Sequence, residues 1–228
     1  MTWKEEAKRL AASEAIKHVK DGFVVGLGSG STAAYVIKEI GQLIQKDGLH
    51  VLAVPSSSQS MIVAVQSEVP LTTLDEHPLL DLAIDGADEV DKRLDMIKGG
   101  GGALTREKIV ASAAKQVVIV ADETKLVETL GAFKVPVEVL PFALASVINK
   151  IKNLDGKPFL RESKGKVGAV VTDNGNYILD VDFGLISDAG ELNQQLKLIP
   201  GIIETGLFIG LADIVYLGKT DGITKLEK

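Results

Sequence analysis

Residues 98–108 read KGGGGALTREK, a lysine and four glycines followed by helix formers that carry Arg106, Glu107 and Lys108. Glycine loses more conformational freedom on folding than any other residue, so four in succession imply a close approach to the backbone or positive φ angles. Consecutive N–H groups in such a loop can converge on a developing oxyanion, and the Lys98 ammonium beside them adds a full charge. Glu107 falls in the first turn of the helix that follows, where it could act as a base. A plainer account is open as well. Acidic residues favour helix N-termini by about 0.3–1 kcal/mol without any catalytic duty, and the same dipole lowers their pKa, against what a base requires. Burial would act in the opposite direction.

Three further motifs carry chemistry. Gly26-Leu27-Gly28-Ser29-Gly30-Ser31-Thr32 joins an apolar run to a helical pattern, and free N–H groups with neighbouring hydroxyls there suit a phosphate. The alternative is a tight connection capped by Ser31 or Thr32. A dinucleotide fingerprint fits less well, since its third glycine would fall at Ser31 and VLAVPSSS stands where its acidic residue belongs. No Gly-Lys-Ser/Thr closes a Walker loop. Asp85-Gly86-Ala87-Asp88-Glu89 sets three carboxylates within five residues, a crowding that raises the cost of ionising all three. A hard cation is one possible guest, although the spacing is not that of a calcium loop. A solvated turn with Lys92, Arg93 and Lys98 as charge partners is the other reading. Ala121-Asp122-Glu123-Thr124-Lys125 could bring Lys125 to the same rim, though a surface position is the commoner fate of a lysine. His18, His50 and His77 form no ligand-like cluster and read as structural.

The elements that must position these motifs follow from periodicity. Residues 4–20 place Ala7, Leu10, Ala11, Ala15, Ile16 and Val19 at helical spacing. FVVGLGSGSTAAYVIKEIG (23–41) reads as strand, tight loop and helix, and the scheme recurs at 50–60, 81–91 and 116–125. Strands separated by helical patterns predict a parallel sheet with crossover helices, whose ligands sit beyond the carboxyl ends of the strands. The polar motifs fall at those ends. From about residue 131 the texture changes. KVPVEVLPFALASVINKI predicts a strand and a helix, KVGAVVTDNGNYILDVDFG a hairpin about Asp173-Asn174-Gly175, and ELNQQLKLI another helix. ADIVYLG (212–218) predicts a last strand rejoining the first sheet. The expected organisation is a sheet domain of residues 1–130 plus 207–228 and a small α+β domain of residues 131–206.

Composition excludes several classes. A length of 228 residues with 46% hydrophobic content can bury a full core. A net charge of −6 argues against a general nucleic-acid binder. The absence of cysteine removes disulfides, thiolate nucleophiles and Cys-ligated zinc. MTWKEEAKRL lacks the apolar stretch of a signal peptide, and no apolar run approaches the ~18 residues of a spanning helix, so a soluble, cytoplasmic protein is expected.

Taken together, GLGSGSTAAYVI, DGADEVD, KGGGGALTREK and VADETK resemble the ordered motifs of the type A ribose-5-phosphate isomerases. The likeness runs on through KVPVEVLPFA, TDNGNYILD, IPGIIETGLF and ADIVYLG, covering nearly the whole chain. The resemblance implies an α/β fold: a Rossmann-like, mostly parallel sheet domain with a smaller inserted α+β, ferredoxin-like domain. It implies an aldose–ketose isomerase of the non-oxidative pentose phosphate pathway, interconverting D-ribose 5-phosphate and D-ribulose 5-phosphate through a cis-enediolate. No metal or organic cofactor, nucleic acid or membrane is implied, and the family is usually a homodimer or tetramer. Position by position, Glu107 matches the proton acceptor. The substrate-binding positions fall on Ser29, Gly30, Ser31 and Thr32; on Asp85, Gly86, Ala87 and Asp88; on Lys98, Gly99, Gly100 and Gly101; and on Lys125. Lys8 matches a lysine near the phosphate. In this scheme Lys98 and the glycine N–H groups hold the oxyanion, while Asp85 and Asp88 bind sugar hydroxyls and assist ring opening.

Two other classes share the architecture. A sugar-phosphate sensor domain would come with a helix-turn-helix, for which the first strand near residue 23 leaves no room. A coenzyme A transferase would use Glu107 as a nucleophile and form a thioester on it. An NAD-linked dehydrogenase is disfavoured by the fingerprint mismatch.

Overall fold

The computed structural model describes residues 2–163, 165 and 167–228. Its first helix, α1 (Trp3–Ile16), starts in a capping box between Thr2 and Glu5. Its buried face consists of Ala7, Ala11, Ala12 and Ala15, small enough to let the helix lie against a sheet. The contact is close: a Cβ built on Gly218 would lie 1.8 Å from the Ala7 carbonyl oxygen.

The chain then alternates: β1 (Val24–Leu27), α2 (Gly30–Asp47), β2 (Leu52–Pro55), α3 (Ser58–Gln66) and β3 (Leu82–Asp85). Two short strands, β4 (Glu89–Val90) and β5 (Met96–Ile97), precede α4 (Leu104–Ser112) and β6 (Val117–Asp122). All six residues of β6 are buried, as a parallel strand covered on both faces requires. Near the end of the chain, β12 (Ile214–Lys219) joins β6 in parallel and β13 (Gly222–Glu227) closes the edge antiparallel. The strand order β13-β12-β6-β3-β1-β2 makes a mostly parallel sheet. From β1 the chain steps out to β2 and then returns to the other side of β1 as β3, so the order reverses between β1 and β3. That reversal opens a crevice at their carboxyl ends.

Between β6 and β12 lies a second, antiparallel sheet of order β10-β7-β9-β8. Its strands are β7 (Val135–Val139), β8 (Lys157–Leu160), β9 (Tyr177–Asp182) and β10 (Ile202–Thr205), accompanied by α5 (Leu144–Lys152) and α6 (Ala189–Lys197). Val135, Val137 and Val139 share one apolar cluster with Leu179 and Val181 of β9, Val147 and Ile151 of α5, and Leu196 of α6. A third, three-stranded sheet links the two: β5 pairs with β4 and with β11 (Leu207–Phe208). It brings Lys98, one residue beyond β5, against the other unit, where its N–H donates to Gly206 O at 2.8 Å.

The predicted hairpin is only half formed. Gly175 N–H donates to Thr172 O and Thr172 N–H to Asn176 O, both at 2.9 Å, so the turn is present. Val171 and Tyr177 make a single bridge, and both edges of β9 are taken by β7 and β8. Lys166, at the start of that motif, lies outside the described residues. Among the described residues no helix is long and apolar enough to cross a membrane.

Candidate active site

The β1–β3 crevice is a cleft of about 230 Å³, bordered by the ends of β3 and β6, the start of α2 and the glycine loop before α4. Each of the four motifs contributes to its wall.

At its floor Lys98 and Glu107 are 4% and 5% exposed. Lys98 Nζ donates to Gly86 O at 2.5 Å and lies 3.0 Å from Asp85 Oδ2 and 3.3 Å from Glu107 Oε2. The last approach is an ion pair and not a directed hydrogen bond, so Glu107 Oε2 is buried without a hydrogen-bond partner. Burial, and after it the Asp85 charge, push the Glu107 carboxyl up to about 7, with Lys98 pulling the other way. Desolvation thus outweighs the helix-terminus effect that made the sequence ambiguous here. For Lys98, burial opposes the charge, but Asp85 and Glu107 outweigh it and hold the ammonium above the ordinary lysine value.

The three carboxylates of DGADE turn to three different tasks. Asp85 Oδ1 accepts from Ser29 N–H at 3.1 Å and Gly86 N–H at 2.7 Å, while Oδ2 faces Lys98. Asp85 therefore does not border the cleft itself. Asp88 does, and its Oδ2 accepts from Gly100 N–H at 2.7 Å. Glu89 is turned away, accepting from Gly131 and Phe133 N–H. Among the described residues no group of three or more His, Asp or Glu side chains is placed to hold a metal ion.

The glycine loop is tight on its inner side. Gly99 has φ +101°, and a Cβ on Gly100 would lie 2.6 Å from Asp88 Oδ1. Only glycine lets the carboxylate and the main chain approach so closely.

At the other end of the cleft, Ser29 caps α2 without a side-chain bond to the helix. Its hydroxyl pairs instead with those of Ser57 at 2.6 Å and Ser56 at 3.0 Å. Gly30 N–H goes to Gln59 Oε1 at 3.0 Å, and Ser31 Oγ accepts from Lys8 Nζ at 3.1 Å. Self-capping by Ser31 or Thr32 does not occur. Their N–H groups belong to the helix's first turn, which has no acceptor within the helix. Lys8 flanks this end, so dipole and side-chain charge both favour an anion there, and Lys125 also lines the cleft. Lys125 is held by Asp122, which caps a 3₁₀ turn (Glu123–Lys125) through Thr124 N–H at 3.1 Å.

The structure thus gathers Lys8, Ser29, Gly30, Ser31, Thr32, Gly86, Ala87 and Asp88 around one cleft with Lys98, Gly99, Gly100, Gly101, Glu107 and Lys125. Asp122, which the sequence offers only as part of the Lys125 motif, also lines the cleft, and the supports behind α4 have no motif of their own. Lys108 Nζ, from α4, donates to Thr205 O and Leu207 O at 2.8 Å and meets Glu204 Oε1 at 2.9 Å. Glu138 of β7 is wholly buried and accepts from Thr105 Oγ1, Thr172 Oγ1, Asn174 Nδ2 and Asn176 Nδ2. Both fix the helix that carries Glu107. The one local hint was a glutamate in an otherwise apolar strand, VPVEV.

Residues 52–222 match the family model described as ribose 5-phosphate isomerase A (phosphoriboisomerase A). Ribose-5-phosphate isomerase A of Methanothermobacter thermautotrophicus is 49% identical over 220 residues, covering 96% of this chain and 97% of the relative. That of Methanosarcina acetivorans is 51% identical over 219 residues, covering 96% and 93%. A solved D-ribose-5-phosphate isomerase in complex with phospho-erythronic acid superposes with a TM-score of 0.97 at 42% identity, over the full length of both chains.

Proposed function

Since the chain belongs to the ribose 5-phosphate isomerase A family and is an aldose–ketose isomerase of ribose 5-phosphate and ribulose 5-phosphate, we propose that Glu107 is its general base. The observation that carries this reading is a buried carboxylate oxygen without a hydrogen-bond partner, beside a lysine ammonium and a stretch of bare main chain.

Isomerisation removes the proton from C2 of the open-chain aldose and returns it to C1. As Glu107 takes the C2 proton, the electron pair moves into C1–C2 and charge develops on O1, giving a cis-enediolate. Lys98 Nζ and the glycine-loop N–H groups stabilise that charge. The O2 proton passes to O1 by way of Asp88, the O2 electron pair closes the C2 carbonyl, and the C1–C2 pair takes the proton from Glu107 at C1. A pKa near neutrality keeps Glu107 ionised for much of the time while making it a stronger base than an ordinary carboxylate. Lys98, whose pKa is raised, stays cationic throughout.

Asp88 borders the cleft and assists ring opening and the exchange of hydroxyl protons. Asp85, turned to Lys98, holds the ammonium in place. The phosphate sits at the start of α2, on the N–H groups and hydroxyls of Ser31 and Thr32 with Lys8 beside it. Ser29, Gly30, Gly86, Ala87 and Lys125 complete the binding wall, and the reaction as written calls on no cofactor.

The test is turnover of ribose 5-phosphate in D₂O with and without a chelator. Native protein should turn over ribose 5-phosphate, chelated or not, with deuterium entering C1 of the ketose to the extent that the Glu107 proton exchanges with solvent before it is delivered, and Glu107→Gln should show neither turnover nor label. Near-native turnover by that variant would remove Glu107 from the mechanism. A sensor domain would show binding without turnover, and a coenzyme A transferase would leave a thioester mass on Glu107 after incubation with acyl-CoA.

The same reading carries a cytoplasmic location and a homodimer or tetramer. Phe142 and Leu198, 96% and 82% exposed, support association. Their segments are neighbours, with Leu140 N–H donating to Gly201 O at 2.9 Å. Light scattering of the purified protein tests the oligomeric state.

A further inference from the structure

The carbonyl oxygens of Gly99 and Gly100 are both held by one side chain, Arg161, whose Nη1 donates to them at 2.9 and 3.1 Å. Arg161 follows β8 in the small sheet, and its backbone N–H donates to Ile178 O at 2.9 Å. The other edge of its guanidinium is fixed by Asp180 of β9: Nε donates to Oδ2 at 2.8 Å and Nη2 to Oδ1. Arg161 does not border the cleft, whereas Gly99, Gly100 and Gly101 do. It grips the loop from behind.

The peptide bonds of the loop are trans. In a trans peptide the C=O of one residue and the N–H of the next point in opposite directions. Drawing the oxygens of Gly99 and Gly100 back toward Arg161 therefore turns the N–H groups of Gly100 and Gly101 forward. Gly100 N–H shows the direction, since it reaches the cleft residue Asp88 at 2.7 Å. Among the described residues no protein acceptor meets the N–H of Gly101. Gly99 O is also held within the loop, accepting from Gly102 N–H at 2.9 Å, whereas Gly100 O has no partner in the loop, so the orientation of the Gly100–Gly101 peptide is imposed by Arg161.

We propose that Arg161, braced by Asp180, is the positioning residue that orients the glycine-loop peptides, so that the N–H of Gly101 is presented to the oxyanion of the enediolate. The inference rests on the isomerase reading of the cleft. A planar fork is needed because one group must hold two carbonyls and a carboxylate at fixed angles, which a lysine's point charge does not do.

The test compares Arg161→Ala, Arg161→Lys and Asp180→Asn with native protein for kcat and KM on ribose 5-phosphate, affinity for phospho-erythronic acid, and Tm. That acid carries two coplanar oxygens sharing a negative charge, as the enediolate does, so its affinity reads the oxyanion site without turnover. Removing an oxyanion donor outright costs about 10²–10³ in kcat, so misorienting one should cost about 10–100-fold. Arg161→Ala should lose that factor in kcat and a similar factor in affinity for the acid, with KM changed by less than about threefold. Added guanidinium ion should restore part of kcat, and Arg161→Lys should recover little. Where Arg161→Ala does not fold, Asp180→Asn keeps the arginine but releases its brace, and should show the same pattern in milder form. The proposal is overturned if folded variants keep native kcat, or if the loss is confined to KM or to Tm. Failure of the underlying site reading is distinguishable: Lys98→Ala would then keep both kcat and affinity for the acid.

Discussion

Glu107 Oε2 lies 3.3 Å from Lys98 Nζ, with both side chains almost completely removed from water. The pair is unequal. The ammonium also has Gly86 O and Asp85 for partners, whereas that carboxylate oxygen has no hydrogen bond.

The first consequence is a pH dependence. With its pKa at about 7, Glu107 is the conjugate acid below that value and the base above it. The kcat/KM for ribose 5-phosphate should therefore rise about tenfold per pH unit on the acid side and level off above about 7. A profile that is flat from pH 5 to 8 would contradict the assignment.

Glu107→Gln should lose at least ~10²–10⁴ in kcat and yet be no less stable than the native protein. The sign follows from linkage. The folded-state pKa of about 7 lies above the 4.5 of an ordinary glutamate, so between those values the folded state binds more protons than the unfolded one, and stability falls as pH rises through the window. The ionised form thus costs up to about 3 kcal/mol above pH 7, a burden the amide does not carry. Thermal unfolding should show the variant's advantage at pH 8 and its disappearance toward pH 4.5.

Lys98→Ala should lower kcat by about 10²–10³ with a smaller change in KM, because the charge it meets exists mainly in the transition state. It should also move the acid limb of the pH profile to higher pH, since Lys98 is what restrains the Glu107 pKa. A change in KM alone would make it a sugar clamp.

The start of α2 predicts a strict need for phosphate. Unphosphorylated ribose should show a much lower kcat/KM, because binding energy remote from the reacting carbons is lost. Lys8→Ala, which removes the cation beside Ser31, should raise KM for ribose 5-phosphate and leave turnover of ribose itself unchanged. Equal effects on the two substrates would place Lys8 outside the phosphate site.

Much of the cleft was legible because its motifs are local: each sits at a strand end, and a parallel sheet puts those ends together. Ser29 to Thr32, Gly86 to Asp88 and Lys125 arrive in that way, whereas Lys98 to Gly101 are delivered by β5 of the antiparallel three-stranded sheet. The division of labour among Asp85, Asp88 and Glu89 was not legible, because it depends on Lys98, the glycine loop and the 131–133 backbone, none of which their spacing specifies. The Glu107 pKa stood undecided between dipole and burial until the depth of the site was known. Arg161 and Lys108 act on partners about 60 and 100 positions away, beyond any periodicity signal. In the fold, β4, β5 and β11 are two residues each, too short to alternate visibly, and β13 is a mostly polar edge.

Gly218 in β12 has the backbone of α1 resting directly on it, at Ala7, and the next residue of that helix is Lys8. A single methyl group introduced there would lift the helix as a lever, and the far arm of the lever is the ammonium that reaches Ser31. A variant ten positions from the end of the chain, touching no ligand, would then present in the assay as an enzyme that has lost its grip on substrate while its chemical step runs at full speed.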